Sequence, residues 1–164
     1  VIGVTKAYST RVGEGPMPTE LFDNVGERLR EIGGEYGTTT GRPRRCGWID
    51  LPATRYGILV SGARSIALMK LDVMDDFKVV KVCVGYRVGN RTIEIPDDMD
   101  ADTLKDVKPV YKSFKGWMKK TSSIKPFDKI PTNAKLYIRF LEKALKLPIT
   151  IVSVGPDRNQ TIIR

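Results

Sequence analysis

The sequence predicts an α/β fold: a mixed, mostly parallel sheet with flanking helices. Two observations support this. Short apolar runs of strand length alternate with helical periodicities. Two of those runs, Ile66-Ala67-Leu68-Met69 and Ile149 to Val154, lead directly into polar or Gly-Pro segments. In α/β sheets such segments, beyond the carboxyl ends of strands, are where ligands bind.

Val1 to Tyr8 reads as a short, mostly apolar strand, and Arg11 to Pro18 as a loop, because two Gly and two Pro leave no regular element. Leu21, Val25 and Leu29 recur every four residues and predict a helix, with Thr19 as N-cap and Gly33-Gly34 as its end. Residues 37 to 45 form a loop. After Trp48-Ile49-Asp50-Leu51-Pro52 a second helix runs to about Ser61-Gly62. Val80, Val82 and Val84 alternate with Lys81 and Cys83 as in a strand, and Gly89-Asn90 turns the chain so that Thr92 to Ile95 pairs back. Asp97 to Phe127 reads as irregular surface structure. Pro131 opens a helix with Ala134, Ile138, Leu141 and Leu145 on one face.

With 164 residues, 41% of them hydrophobic and 29% charged, the chain is large enough for one core, and it is read as a single piece over 1–164. No apolar run approaches the roughly 18 residues of a membrane span. The start, Val1-Ile2-Gly3-Val4, has no Met and no charged-then-apolar leader and resembles mid-strand sequence, so the chain is expected to begin inside a longer protein. Cys46 and Cys83 form no metal spacing and read as reduced core thiols of a cytoplasmic protein. There is no histidine, which excludes Ser/His and Cys/His nucleophile systems and His metal sites within this chain. No catalytic residue and no metal ligand is assigned to it.

The net charge of +9 is concentrated. Between Lys105 and Lys146 twelve basic residues face three acids, which accounts for the whole excess. Interleaved Tyr111, Phe114, Trp117 and Phe127 make a basic nucleic-acid-binding module the alternative reading. The charges are mostly evenly spread Lys within no nucleic-acid motif, so a solvated face is favoured and nucleic acid is not the expected partner.

Two segments carry chemistry. In Gly37-Thr38-Thr39-Thr40-Gly41-Arg42-Pro43-Arg44-Arg45, guanidinium forks, hydroxyls and glycine-exposed amides suit carboxylate or phosphate. Alone, the loop reads equally as a solvated basic loop. Lys70-Leu71-Asp72 follows an apolar strand. An Asp carboxylate there accepts from the ring N–H and the exocyclic amino group of guanine, a pairing adenine lacks, while the Lys stem lies along the base. By itself this tripeptide also reads as a surface Lys and a helix cap. In Ser153-Val154-Gly155-Pro156 a backbone N–H beside Gly suits the guanine oxygen. Val12-Gly13-Glu14-Gly15-Pro16 is no dinucleotide fingerprint and reads as a tight turn or as backbone lining a nucleotide sugar.

The ordered series is more specific than its parts. Gly3-Val4-Thr5-Lys6-Ala7-Tyr8-Ser9-Thr10-Arg11-Val12-Gly13-Glu14-Gly15-Pro16, then Thr39-Thr40-Gly41-Arg42-Pro43-Arg44-Arg45-Cys46-Gly47-Trp48, Lys70-Leu71-Asp72-Val73, Gly116-Trp117 and Ser153-Val154-Gly155-Pro156-Asp157-Arg158 together resemble the adenylosuccinate synthetase family over essentially the whole chain. The resemblance implies the carboxyl-terminal portion of a P-loop-NTPase-like ligase fold. That ligase couples GTP hydrolysis, with Mg²⁺, to joining IMP and L-aspartate through 6-phosphoryl-IMP. By resemblance, Val12, Thr38, Thr39, Thr40, Gly41, Arg42, Pro43 and Arg44 bind aspartate and IMP, whereas Arg44, Lys70, Leu71, Asp72, Ser153, Val154 and Gly155 bind GTP. The family's phosphate loop, catalytic acid and base, and Mg²⁺ ligands are absent from the chain, so this piece alone is expected to be inactive. The family is commonly a cytoplasmic homodimer. Two further departures are Met69, where the family commonly has Thr or Asn, and Pro43, which replaces a common Arg and stiffens the loop.

Overall fold

The computed structural model describes residues 1–96 and 100–164. Asp97 to Met99, the start of the stretch expected to be irregular, lie outside the described residues. The chain was expected as one piece, and it gathers into two compact units. One comprises Val1–Ala7, Gly57–Val80 and Ser113–Arg164; the other comprises Tyr8–Tyr56 and Lys81–Lys112. No linker marks the division, because the chain changes unit four times, once at Ala7–Tyr8 between adjacent strands and otherwise inside regular elements.

The first unit is built on a four-stranded sheet ordered β1 (Ile2–Lys6), β4 (Ser65–Met69), β8 (Ile149–Ser153) and β9 (Thr161–Ile163). β1 is parallel to β4 and β4 to β8, whereas β9 returns antiparallel to β8. β4 is a continuous apolar run with Ile66, Ala67 and Leu68 all buried, as a central parallel strand requires. Helix α4 (Thr132–Leu145) starts after Pro131, as read from sequence, and buries Ala134, Tyr137, Ile138, Leu141 and Leu145 on one stripe. The Tyr137 hydroxyl donates to the Ala7 carbonyl at 2.7 Å, satisfying the one polar atom on that face.

The second unit is built on a sheet of β2 (Tyr8–Arg11), β3 (Arg45–Asp50), β5 (Val79–Val88) and β6 (Arg91–Ile93), with β7 (Lys108–Lys115) also paired to β5. β2–β3 and β5–β6 are antiparallel and β3–β5 is parallel. The α/β class with mixed pairing and flanking helices is what forms, but the strands divide into two sheets. Helix α2 (Leu51–Ser61) follows β3 directly.

Three expectations are corrected. The first helix, α1 (Asn24–Gly33), begins later than predicted. Asp23 rather than Thr19 caps it, its carboxylate accepting from the Val25 and Gly26 amides at 3.0 and 3.2 Å. Glu20 instead bridges to Gly47, and the Leu21 amide donates to the Cys46 carbonyl, so this stretch is held extended beside β3 and cannot coil. Second, the part of 97–127 that is described holds regular structure: α3 (Ala101–Asp106) and the eight-residue β7. Third, Arg45 belongs to β3 and not to the loop.

Candidate functional site

In the first unit, parallel β4 and β8 lie side by side with Leu68 opposite Val152, so Lys70 and Val154 leave the sheet at the same carboxyl edge. Lys70 turns the chain there with a left-handed backbone (φ 61°, ψ 41°), a conformation costly for a residue with a Cβ. A single 3-10 turn, Leu71–Met74, follows. Leu71, Val73 and Met74 anchor it in the core, which leaves Asp72 as its half-buried polar member. One carboxylate oxygen, Asp72 Oδ1, is buried and accepts no hydrogen bond among the described residues. Burial pushes the Asp72 carboxyl above the ordinary range, and the Asp75 charge adds to this. Its own backbone amide and the Lys70 and Lys120 charges act in the opposite sense. An orphaned, desolvated acceptor is costly; a ligand offering N–H donors would relieve it.

The partner turn is tightly closed. Ser153 Oγ donates to the Gly155 carbonyl at 3.0 Å and the Val154 amide donates to the Gln160 carbonyl at 2.8 Å. A Cβ on Gly155 would fall 2.2 Å from Gln160 Oε1, so a larger residue there would displace the Gln160 amide. Leu71 and Val154 have fully buried side chains, which restricts both to backbone contacts with any ligand. Lys70, Asp72 and Ser153–Gly155 are thus brought together at one edge, as their positions after apolar strands predict.

The second unit holds Val12 and residues 38–44. Tyr36 bridges Pro43, and the Gly37 amide donates to the Arg42 carbonyl at 2.9 Å, so 37–42 is the tip of a narrow hairpin. Thr38, Thr39, Thr40, Gly41, Arg42 and Pro43 are all exposed there. Arg44 is committed inward: its Nη1 donates to Glu35 Oε2 at 2.8 Å, and Glu35 is completely buried, with Oε1 accepting from the Tyr8 hydroxyl at 2.5 Å. Arg44 Nε is buried without a partner. Arg45 pairs with Glu20 through Nε at 2.7 Å, and its Nη1 donates to the carbonyls of Gly13 and Gly15 at 3.2 and 2.7 Å. Arg11 holds the same loop through the Glu14 and Pro16 carbonyls. Two arginines therefore fix the backbone beside Val12, whose side chain is exposed. Of the three loop arginines, only Arg42 stands exposed at the tip.

Sequence reading missed Glu35 and Glu20, the internal partners of Arg44 and Arg45, and Tyr8, whose hydroxyl donates to Glu35. Only Glu35 left a trace: an acid between Gly34 and an arginine-rich loop is a natural counter-charge. The same unit has a cavity of about 540 Å³ lined in part by Asp50, Tyr86, Thr19 and Arg11. Asp50 accepts there from the Tyr86 hydroxyl at 2.6 Å and the Ala53 amide at 3.1 Å. Burial raises Asp50 above ordinary carboxyls, and it pushes the nearby Cys83 thiol up to about 12, which makes that thiol inert. The lysine-rich 105–146 stretch is divided between the two units. Lys120 and Lys105 are paired with Asp76 and Asp102.

Among the described residues no three His, Cys, Asp or Glu stand together as a metal cluster. No described helix is long and apolar enough to cross a membrane.

Comparison with known proteins adds four findings. A family model described as adenylosuccinate synthetase matches residues 1–162. The chain is 50% identical to the adenylosuccinate synthetase of Thermodesulfovibrio yellowstonii over its whole length, covering 38% of that protein. It is 51% identical to that of Hahella chejuensis, covering 99% of this chain and 38% of the relative. It superposes on a fully ligated adenylosuccinate synthetase from Plasmodium falciparum with a TM-score of 0.93 and 42% identity, over 99% of this chain and 39% of the other. The chain therefore spans well under half the length of the relatives it matches.

Proposed function

We propose that this chain, which belongs to the adenylosuccinate synthetase family, supplies the guanine-reading turn and the arginine loop of a GTP-dependent ligase that joins IMP and L-aspartate. The observation that carries the reading is the buried, unpartnered Asp72 Oδ1 at the carboxyl edge of parallel strands, beside the Ser153–Gly155 turn. Guanine offers two neighbouring N–H donors to one carboxylate, and its oxygen is left for a backbone amide at Gly155.

In the reaction proposed for the complete protein, the γ-phosphoryl group of GTP moves to the purine oxygen of IMP. The aspartate amine then displaces it, giving adenylosuccinate, GDP and phosphate. Val12 backbone lines the IMP sugar, Thr38 to Arg42 close on the aspartate carboxylates, and Arg42 and Arg44 supply guanidinium forks. By the family resemblance, the phosphate loop, the acid, the base and the Mg²⁺ ligands belong to the remainder of the protein, which completes a P-loop-NTPase-like ligase fold. On the same motif grounds this chain is the carboxyl-terminal portion of a cytoplasmic homodimer.

The test is a coupled assay of the complete protein with IMP, GTP, Mg²⁺ and aspartate, alongside its Asp72→Asn variant. Adenylosuccinate formation with a raised KM for GTP in the variant is expected. No product from the complete protein would overturn the reading. Peptide mapping that placed the remaining residues after Arg164 would overturn the carboxyl-terminal placement alone. A basic nucleic-acid module has no comparable support, since its lysines divide between two units and some are already paired.

A further inference from the structure

The two turns that read guanine are fastened to one short segment, Trp117–Ser122. Asp75 is almost wholly buried, at 2% exposure, and closes the Asp72 turn: its amide donates to the Asp72 carbonyl at 3.0 Å. Its carboxylate faces the other way. Oδ1 accepts from the Trp117 indole N–H at 2.7 Å and Oδ2 from the Thr121 amide at 2.7 Å, and the Thr121 hydroxyl sits 3.0 and 3.2 Å from the two oxygens. The second turn reaches the next residue. Gln160, whose carbonyl accepts the Val154 amide and whose Oε1 accepts the Asp157 amide at 3.0 Å, donates through Nε2 to the Ser122 carbonyl at 3.0 Å.

Strand pairing fixes β4 and β8 against each other only as far as their ends. Beyond Met69 and Ser153 the sheet ladder has stopped, yet a two-point contact to a base needs its donors and acceptors held within about 0.5 Å. The Trp117–Ser122 segment spans that gap, because Asp75 ties it to one turn and Gln160 ties it to the other. Trp117 is itself seated against Tyr137 of α4, with ring centroids 6.0 Å apart. The Gly116 amide donates to the Lys78 carbonyl, and the Asn133 side chain donates to the Gly116 carbonyl, which secures the start of the segment to the body of the unit.

We propose that Trp117, Thr121 and Asp75 are positioning residues that set the spacing between the Asp72 turn and the Ser153–Gly155 turn, and so the selectivity for guanine. The proposal rests on the guanine reading given above. Its prediction is specific to one substrate. Trp117→Phe keeps the ring and removes one donor to Asp75; Thr121→Val keeps the size and removes another. In the complete protein each variant raises KM for GTP roughly tenfold, as expected for one lost hydrogen bond to a charged group. The preference for GTP over ITP, which lacks the exocyclic amino group, falls by a similar factor. The kcat and the KM values for IMP and aspartate stay within about twofold. Thr121→Ser retains the hydroxyl and restores the wild-type GTP constants.

Equal rises in all three KM values, or a KM for GTP that does not move, overturn the positioning role. Asp72→Asn measured in parallel separates this from failure of the underlying reading. If Asp72→Asn leaves the GTP-over-ITP preference intact, the guanine site itself is wrong and the proposal falls with it. If Asp72→Asn abolishes the preference while Trp117→Phe and Thr121→Val keep it, only the brace is wrong.

Discussion

At the carboxyl edge of β4 a carboxylate oxygen is buried with no donor among the described residues, on a turn closed by backbone bonds from Val73 to Lys70 and from Asp75 to Asp72. In the loop after α1 the reverse holds. Arg44 and Arg45 are bound to Glu35 and Glu20, while the threonines and Arg42 at the tip are exposed. One region keeps a buried carboxylate with an unpaired oxygen. The other ties its base through ion pairs to Glu35 and Glu20 and leaves its tip open. A planar base is recognised at fixed angles, so preorganisation suits it. A flexible dicarboxylate is better met by a tip that closes over it, at an ordering cost on binding. Each prediction below breaks or sharpens that contrast.

The largest effect is expected at the base of the arginine loop. Glu35 is wholly buried and serves Tyr8 and Arg44 at once. Glu35→Gln cannot accept from both donors as a carboxylate does and leaves Arg44 without its counter-charge. A loss of about 3 kcal/mol is expected from breaking a buried pair, read as a lower urea midpoint at unchanged slope. A change under about 1 kcal/mol would mean that the pair behaves as a surface one and that the loop's base is not the rigid part.

Next comes Asp72→Asn, for which binding and stability move in opposite directions. Losing a two-point base contact costs about 2 kcal/mol of guanine affinity, or roughly 30-fold. Burial raises the Asp72 pKa in the folded protein above its unfolded value, so the group favours folding when protonated, and that contribution is lost as pH rises through the folded pKa. The variant should therefore melt higher than wild type at neutral pH, with the gain vanishing in acid. By the same sign, wild-type GTP affinity falls on acidification at a pH above the ordinary Asp range. A thermal scan at several pH values that shows Asn less stable throughout would remove the claim that Asp72 is held under cost.

The contrast also explains what was legible in the sequence. The Asp72 turn follows a mostly apolar strand, and α4 carries an unbroken stripe; both signals are local, so the positions of Lys70, Asp72 and Ser153–Gly155 just beyond their strands were legible. The arginines were visible as residue types only. Their internal commitments depend on Glu20 and Glu35, which come close through the Glu20–Gly47 bridge and the Tyr36–Pro43 bridge, and no periodicity encodes those. The same bridge drew Thr19 out of its expected capping role. β7 was hidden because its side chains are exposed or only half-buried, so lysines interrupt the alternation a strand usually displays. The two-unit division left no mark because it falls within α2, β5 and β7 and not at a linker.

Arg45→Lys tests the fixed backbone beside Val12. Lysine keeps the charge for Glu20 but loses the fork that also reaches the carbonyls of Gly13 and Gly15. About 1.5 kcal/mol of stability is expected to go. In the complete protein the KM for IMP should rise several-fold with the KM for GTP unmoved. A rise in both would couple the two regions that the contrast keeps separate.

The smallest effect is expected at the open tip. Gly41 has a left-handed backbone (φ 64°), and its amide donates to the Gly37 carbonyl at 2.8 Å, yet nothing lies within 4 Å of where a Cβ would stand. Gly41→Ala therefore meets no steric obstacle, only the conformational penalty of about 1 kcal/mol. If the tip closes on aspartate by changing its backbone, that penalty falls on one of the two states and shifts the KM for aspartate by up to roughly fivefold, leaving the IMP and GTP constants alone. A lowered KM would mean that closure relieves the left-handed residue; a raised KM would mean that closure demands a backbone still less tolerant of a Cβ. An unchanged KM alongside a lower melting temperature would show that Gly41 keeps the same backbone in both states, and that the adaptable part of the tip is confined to the Thr38–Thr40 and Arg42 side chains.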